Sequence, residues 1–371
     1  MKKNLKTVAL AVTALSVFVA CQNQPAENNQ GAENAANNAA VTENVVENNA
    51  AGAETTEVAA GEIAHIGMGF DGSIKGTDAE GEKPATASGG GYAGLVAFDS
   101  EGKIVAAKFD VIQPSITLDE AGVPGTFEEI ESKNVLGDAY GMKKASEIGK
   151  EWYEQAEAFA DYITGKTVDE VKNIPTKVKD EKHQNVADTP DLASSVTIDI
   201  GSFQSLVEEA YATKAEAAGA TYIGLDLAAS DRSKAEEGKP TKVGFNIYAT
   251  GVAVDQEGKI VQTLIDVVQP SIEFADGAFA DAEEVQTKNE LGDAYGMKKA
   301  SEIGLEWYEQ ADNFEAYTIG KTAEEVVAIP TKMRDESHMN VADTPDLSST
   351  VSIDIGDFQN NVVAAVENAH S

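Results

Sequence analysis

The chain has 371 residues and carries 28 basic against 63 acidic side chains, a formal net charge of −35. Such a surface repels nucleic acid and anionic headgroups. Only Arg232 and Arg334 are arginine, and Cys21 is the single cysteine. Bidentate phosphate clamps are therefore scarce, and an internal disulfide is excluded.

The N-terminus opens with the basic segment MKKNLK, followed by the apolar run VALAVTALSVFVA. That run is too short to span a bilayer, which takes roughly 20 residues. It ends in Val19-Ala20-Cys21, small residues before the cysteine. The pattern predicts a signal peptide over 1–20 and lipidation of Cys21, anchoring the protein to the cell membrane at its outer face. Residues 21–60 are dominated by Asn, Ala and Glu. They hold too little apolar surface to offset chain entropy, so a disordered tether is expected.

The remainder is a duplication. GDAYGMKKASEIG stands at 137–149 and again at 292–304, and EWYEQA follows at 151–156 and 306–311. EGKIV stands at 101–105 and 257–261. Two tandem homologous domains are expected, at 61–214 and 218–371, each folding on its own. Within a copy, GLVAFDSEGKIVAAKFDVI (94–112) alternates around a Ser-Glu-Gly turn and reads as a β-hairpin; 249–268 repeats it. Ala145, Ile148, Trp152, Ala156, Phe159 and Ile163 form one helical stripe, stopped at Gly165. Thr167 with Glu170, and Thr322 with Glu325, make capping boxes for a second, short helix. VTIDI (196–200) reads as a strand, and a last helix starts near Ser202, or Asp357 in copy two. Strands followed by helices predict an α+β class, an antiparallel hairpin or sheet packed with helices in each copy.

Few side chains offer chemistry. His183 and His338 correspond between the copies, but each stands alone in a polar loop. SGGGYAG (88–94) lacks the Lys-Ser/Thr of a phosphate-binding loop and reads as a turn. Trp152 and Trp307 lie on the helical stripe and read as core, with stacking on a planar ligand as the other use. Tyr140 and Tyr295 are left open. What remains is a repeated phrase, DLASSVTIDIG at 191–201 and DLSSTVSIDIG at 346–356. Its Asp and Ser side chains could simply satisfy backbone groups at a turn. Alternatively, one of its hydroxyls is there to be esterified.

The second use has a precedent in a known pattern. Asp191, Ser194, Ser195 and Thr197, like Asp346, Ser349, Thr350 and Ser352, resemble the flavinylation motif of FMN-binding domains. That pattern runs Asp, two variable residues, Ser or Thr, Gly, Ala, then Thr or Ser; here Ser195 or Thr350 replaces the Gly and Val196 or Val351 the Ala. With the lipidation signal and tether, the whole chain resembles the flavin-bearing lipoproteins of Gram-positive extracellular electron transfer, also known as peptide-pheromone lipoproteins. The resemblance implies FMN joined through its phosphate to Thr197 and Ser352 by a flavin transferase. Ser194, Ser195, Ser349 and Thr350 would donate to the phosphate, and Asp191 and Asp346 would serve recognition or shape the turn. It further implies a membrane NADH dehydrogenase or quinol-linked donor and extracellular electron acceptors, an electron carrier rather than a substrate-turning enzyme. The competing expectation is a ligand-binding surface lipoprotein without covalent flavin, whose signal peptide releases a pheromone.

Overall fold

The structure is a computed structural model that describes residues 63–128, 130–181, 183–336 and 338–370. The signal peptide, Cys21 and the tether lie outside the described residues. In copy one, strands β1 (His65–Thr77), β2 (Thr86–Phe98) and β3 (Ile104–Ile112) form an antiparallel sheet with β2 in the middle. The β2–β3 connection is the predicted turn. Asp99 Oδ1 accepts from the amides of Glu101 and Lys103, and Gly102 takes φ +82, which a side chain would resist. Helix α1 (Trp152–Ile163) and helix α2 (Gly201–Ala212) cover one face of this sheet.

Copy two repeats the order. Strands β4 (Tyr222–Asp231), β5 (Thr241–Val254) and β6 (Ile260–Val268) form the sheet, with β5 central. Helices α3 (Trp307–Thr318) and α4 (Gly356–Glu367) cover it. The class is α+β. Both capping boxes form as expected, and Gly165 follows the end of α1 with φ +81.

Three expectations need correction. The first helix is shorter than its stripe: Ala145 and Ile148 precede it, because Gly149 turns the chain at φ +65 and Glu151 caps the helix. VTIDI is not a strand; it is an extended link between Pro190–Ala193 and α2, touching Val186 through a single bridge at Asp199. SGGGYAG is not a turn; it lies inside β2.

The glycines of that stretch show how the copies meet. A Cβ on Gly91 would sit 2.5 Å from Ile247, one on Gly89 would sit 2.7 Å from Phe245, and one on Gly251 would sit 2.5 Å from Leu95. Each sheet thus offers side-chain-free backbone to the large side chains of the other. Ala93, Leu95 and Ala97 of β2 share a core with Phe245, Ile247 and Ala249 of β5, while Val96 and Phe98 point the opposite way into the helices. The central strands are buried on both faces. The order is therefore helices, sheet, sheet, helices, with the described residues of both copies inside one compact unit. The repeats are two in sequence, and in the structure they share a core.

Candidate functional site

The repeated phrase begins on a short helix, Pro190–Ala193 or Pro345–Ser348, with Leu192 or Leu347 buried beneath it. Ser194 and Ser195 follow at its end and donate their hydroxyls back to the carbonyls of Asp191, at 2.8 Å, and Leu192, at 3.2 Å. Ser349 and Thr350 do the same toward Asp346 and Leu347. These four hydroxyls are engaged in closing the helix. The Asp191 and Asp346 side chains are exposed. Val196 and Val351 are buried and pin the chain as it leaves the helix.

Thr197 and Ser352 are held differently. The Gln155 side chain is fully buried on α1, and its Oε1 accepts from the Thr197 amide at 2.8 Å, the Thr197 hydroxyl at 3.2 Å and the Ile198 amide at 3.3 Å. Its Nε2 donates to Ser146 Oγ and to the Lys150 carbonyl. Gln310 repeats this in copy two: Ser352 amide 2.8 Å, Ser352 hydroxyl 3.1 Å, Ile353 amide 3.2 Å, with Ser301 and the Leu305 carbonyl behind it. One buried amide thus joins the phrase to the repeated GDAYGMKKASEIG loop. Glu151 secures the same loop by accepting from the amides of Met142 and Lys143, and Glu306 does so for Met297 and Lys298. In copy two a cation stands by the phrase. Arg334 donates to the Ser352 carbonyl at 2.9 Å, and Lys179, its counterpart, pairs with Glu147.

One turn along the same helices lies a second repeated cluster. Trp152 and Trp307 are core residues, edge-on to Phe203 and Phe358. Each also carries a lysine over its ring. Lys133 Nζ is 5.1 Å from the Trp152 centroid and 4.9 Å from that of Tyr140. Lys288 Nζ is 4.6 Å from Trp307 and 5.0 Å from Tyr295. Burial pushes the Lys133 ammonium down to about 8 and that of Lys288, which also feels Arg232, down to about 7. Burial likewise lifts Asp110 and Asp266, behind these lysines, to about 6, against the hydrogen bonds they accept from Ser132 and Thr287.

The structure brings Thr197 and Ser352 into equivalent, partly exposed settings and leaves Asp191 and Asp346 away from their hydroxyls' hydrogen bonds. His183 and His338 sit against Asp180 and Asp335, each with Nδ1 2.8 Å from a carboxylate oxygen. Sequence reasoning missed Gln155, Gln310, Glu151, Glu306, Lys133 and Lys288. Their signal was available: all of them are identical between the copies, within SKNVLGDAYG and TKNELGDAYG or within the repeated EWYEQ.

No family model matches the chain, and no solved structure matches it. Among curated proteins, a chlorophenol reductase of Desulfitobacterium hafniense is 32% identical over 171 residues, covering 38% of this chain and 52% of that protein. The chain thus spans about half the length of that relative.

Proposed function

We propose that this chain is a membrane-tethered redox protein of the FMN-binding-domain lipoprotein type, with FMN esterified to Thr197 and Ser352. It would relay electrons from an NADH dehydrogenase or quinol-linked donor in the membrane to extracellular acceptors. The observation that carries this reading is the same partly exposed hydroxyl, fixed in both copies by a fully buried glutamine. A side chain fixed that firmly at a surface, twice, is more than a helix stop.

The donor set suits a phosphoester. The hydroxyl donates to a neutral amide, so a separate transferase would supply the base for the attachment step. Arg334 and Lys179 would balance the phosphate charge. FMN, when bound, would supply the redox chemistry, and the protein holds and surrounds it. The reductase name of the relative supports a redox role for the stretch it shares.

Co-expression with a flavin transferase should add two FMN masses, each less one water, to the intact protein. Thr197→Ala should remove one of them, and Thr197→Ala with Ser352→Ala both, together with the yellow colour. Two flavins on the double variant would mean other hydroxyls are used. Anchoring is tested separately: Cys21→Ser should move the protein from the membrane fraction to the medium, and full retention would refute the lipid anchor.

A further inference from the structure

Copy two has a cavity that copy one is not equipped to reproduce. It has a volume of about 290 Å³ and is lined by Arg232, Lys242, Lys288, Tyr295, Val285 and Leu291, among others. Three cations around one hollow are unusual in a chain of net charge −35. Lys288 is only 9% exposed. Arg334, the other arginine, is paired with Glu302 and Asp335. Among the described residues no carboxylate lies within ion-pair distance of Arg232, Lys242 or Lys288. Glu284, the carboxylate in the lining, is exposed at the rim. Copy one differs where it matters: the repeat alignment puts Lys75 opposite Arg232, Thr86 opposite Lys242 and Glu131 opposite Gln286. The copy-one counterpart therefore lacks one cation, gains one carboxylate and has no guanidinium.

We propose that this cavity binds a small organic carboxylate with a planar, unsaturated body. The guanidinium of Arg232 presents the parallel donors that a carboxylate accepts in pairs, which an ammonium cannot do. Its Nη1 already donates to the Gln269 carbonyl, which steadies the fork at the wall. Lys288, buried and with its ammonium pushed down to about 7, adds a charge when protonated, and an arriving anion favours that form. Tyr295, Leu291 and Val285 form the apolar side against which an unsaturated body can lie. The size is at the small end for ligand sites, roughly 300–1,000 Å³. This inference does not rest on covalent flavin. If both hold, the ligand would sit beside Trp307, one helical turn from the Gln310 that holds Ser352, where an electron acceptor is useful.

The test is calorimetric titration of the full chain, produced without a flavin transferase, with benzoate as the probe. Benzamide serves as the neutral isostere, and chloride at matched ionic strength as the screening control. The expected result is saturable benzoate binding with a Kd on the order of 1 mM or tighter and none for benzamide. Arg232→Gln with Lys242→Thr should weaken it roughly tenfold or more. Arg232→Lys, which keeps the charge, should also lose affinity, and Lys75→Gln in copy one should leave it unchanged. Absence of saturable binding by the unaltered chain, or binding that survives Arg232→Gln with Lys242→Thr, overturns the proposal. Either result leaves the flavin reading to be judged by mass.

Discussion

A chain cut after residue 214, or one that begins at 218, should not fold. Each copy contributes one wall of the central core. Copy two alone supplies Ile223, Leu225, Leu227, Val243, Phe245, Ile247, Val268 and Ile272 to it. Leaving eight such side chains in water forfeits roughly 1.5–3 kcal/mol each, or about 12–24 kcal/mol as an upper bound. A domain's whole net stability is about 5–15 kcal/mol. Polar links between the copies go as well: Thr241 to the Gly122 carbonyl, Lys108 to the Asn368 carbonyl and Asp78 to the Phe279 amide. Glycines such as Gly89, Gly91 and Gly251 would be left as weak spots in bare sheet faces. The expected result is aggregation or a molten state for either half, seen as lost near-ultraviolet dichroism and loss of a cooperative melt. Mixing the two halves should restore the signal. A monomeric half with a sharp thermal transition would show that the shared core is dispensable. The linker should also resist proteolysis in the intact protein, since Ala215–Glu216 pairs with β1 and Ala217 and Ala220 are buried.

Most local signals in the sequence hold where structure depends on neighbours a few residues away. Asp99 and Gly102 make the hairpin turn, Thr167 and Glu170 cap each other, and Gly165 ends a helix. Each is a contact within four residues, so spacing reveals it. Apart from the start of the first helix, set locally by Gly149 and Glu151, the misses involve partners far along the chain. SGGGYAG looks like a turn only until one knows that Phe245 and Ile247, about 150 residues away, need the room. VTIDI looks like a strand because it is β-branched and alternating, yet the Thr197 and Ile198 amides are taken by a glutamine side chain and are closed to a sheet ladder. The two-copy pattern gives two repeats, but a repeat says nothing about which face each copy buries. For the site, the phrase and its hydroxyls were legible, while the glutamine was marked only by its identity between the copies. Gln155 sits on a helix whose stripe advertises Trp152 and Phe159, and a single polar residue on the buried face carries no periodic signal.

Replacing that glutamine should do more damage than replacing the hydroxyl it holds. Gln155→Leu keeps the volume and the helix but removes every polar atom from the junction. The Thr197 and Ile198 amides and the Lys150 carbonyl then lose their side-chain partner. A buried group left unpaired costs about 1–3 kcal/mol. Thr197 and Ile198 are only partly buried, so water recovers some of this, and a net loss of roughly 2–4 kcal/mol is expected. At about 2–4 °C per kcal/mol for a chain of this size class, that is a fall of roughly 4–16 °C in Tm. Thr197→Ala loses one hydroxyl whose acceptor keeps both amides, and should stay within about 1 kcal/mol of the unaltered chain. The two variants also separate structure from attachment. Gln155→Leu should release Thr197 from its fixed position and reduce flavin loading of copy one by roughly tenfold or more, since a reacting group loses rate steeply when it is no longer held in place. Copy two should load normally in the same molecule, because Gln310 still holds Ser352. Thermal melts and intact masses of Gln155→Leu, Gln310→Leu and Thr197→Ala read both effects. An unchanged melt would show that the backbone bonds from Val196 to Leu192 and from Ile200 to Asn185 hold the phrase unaided. A lower melt with full loading of both copies would make the glutamine a structural strut with no part in presenting the hydroxyl.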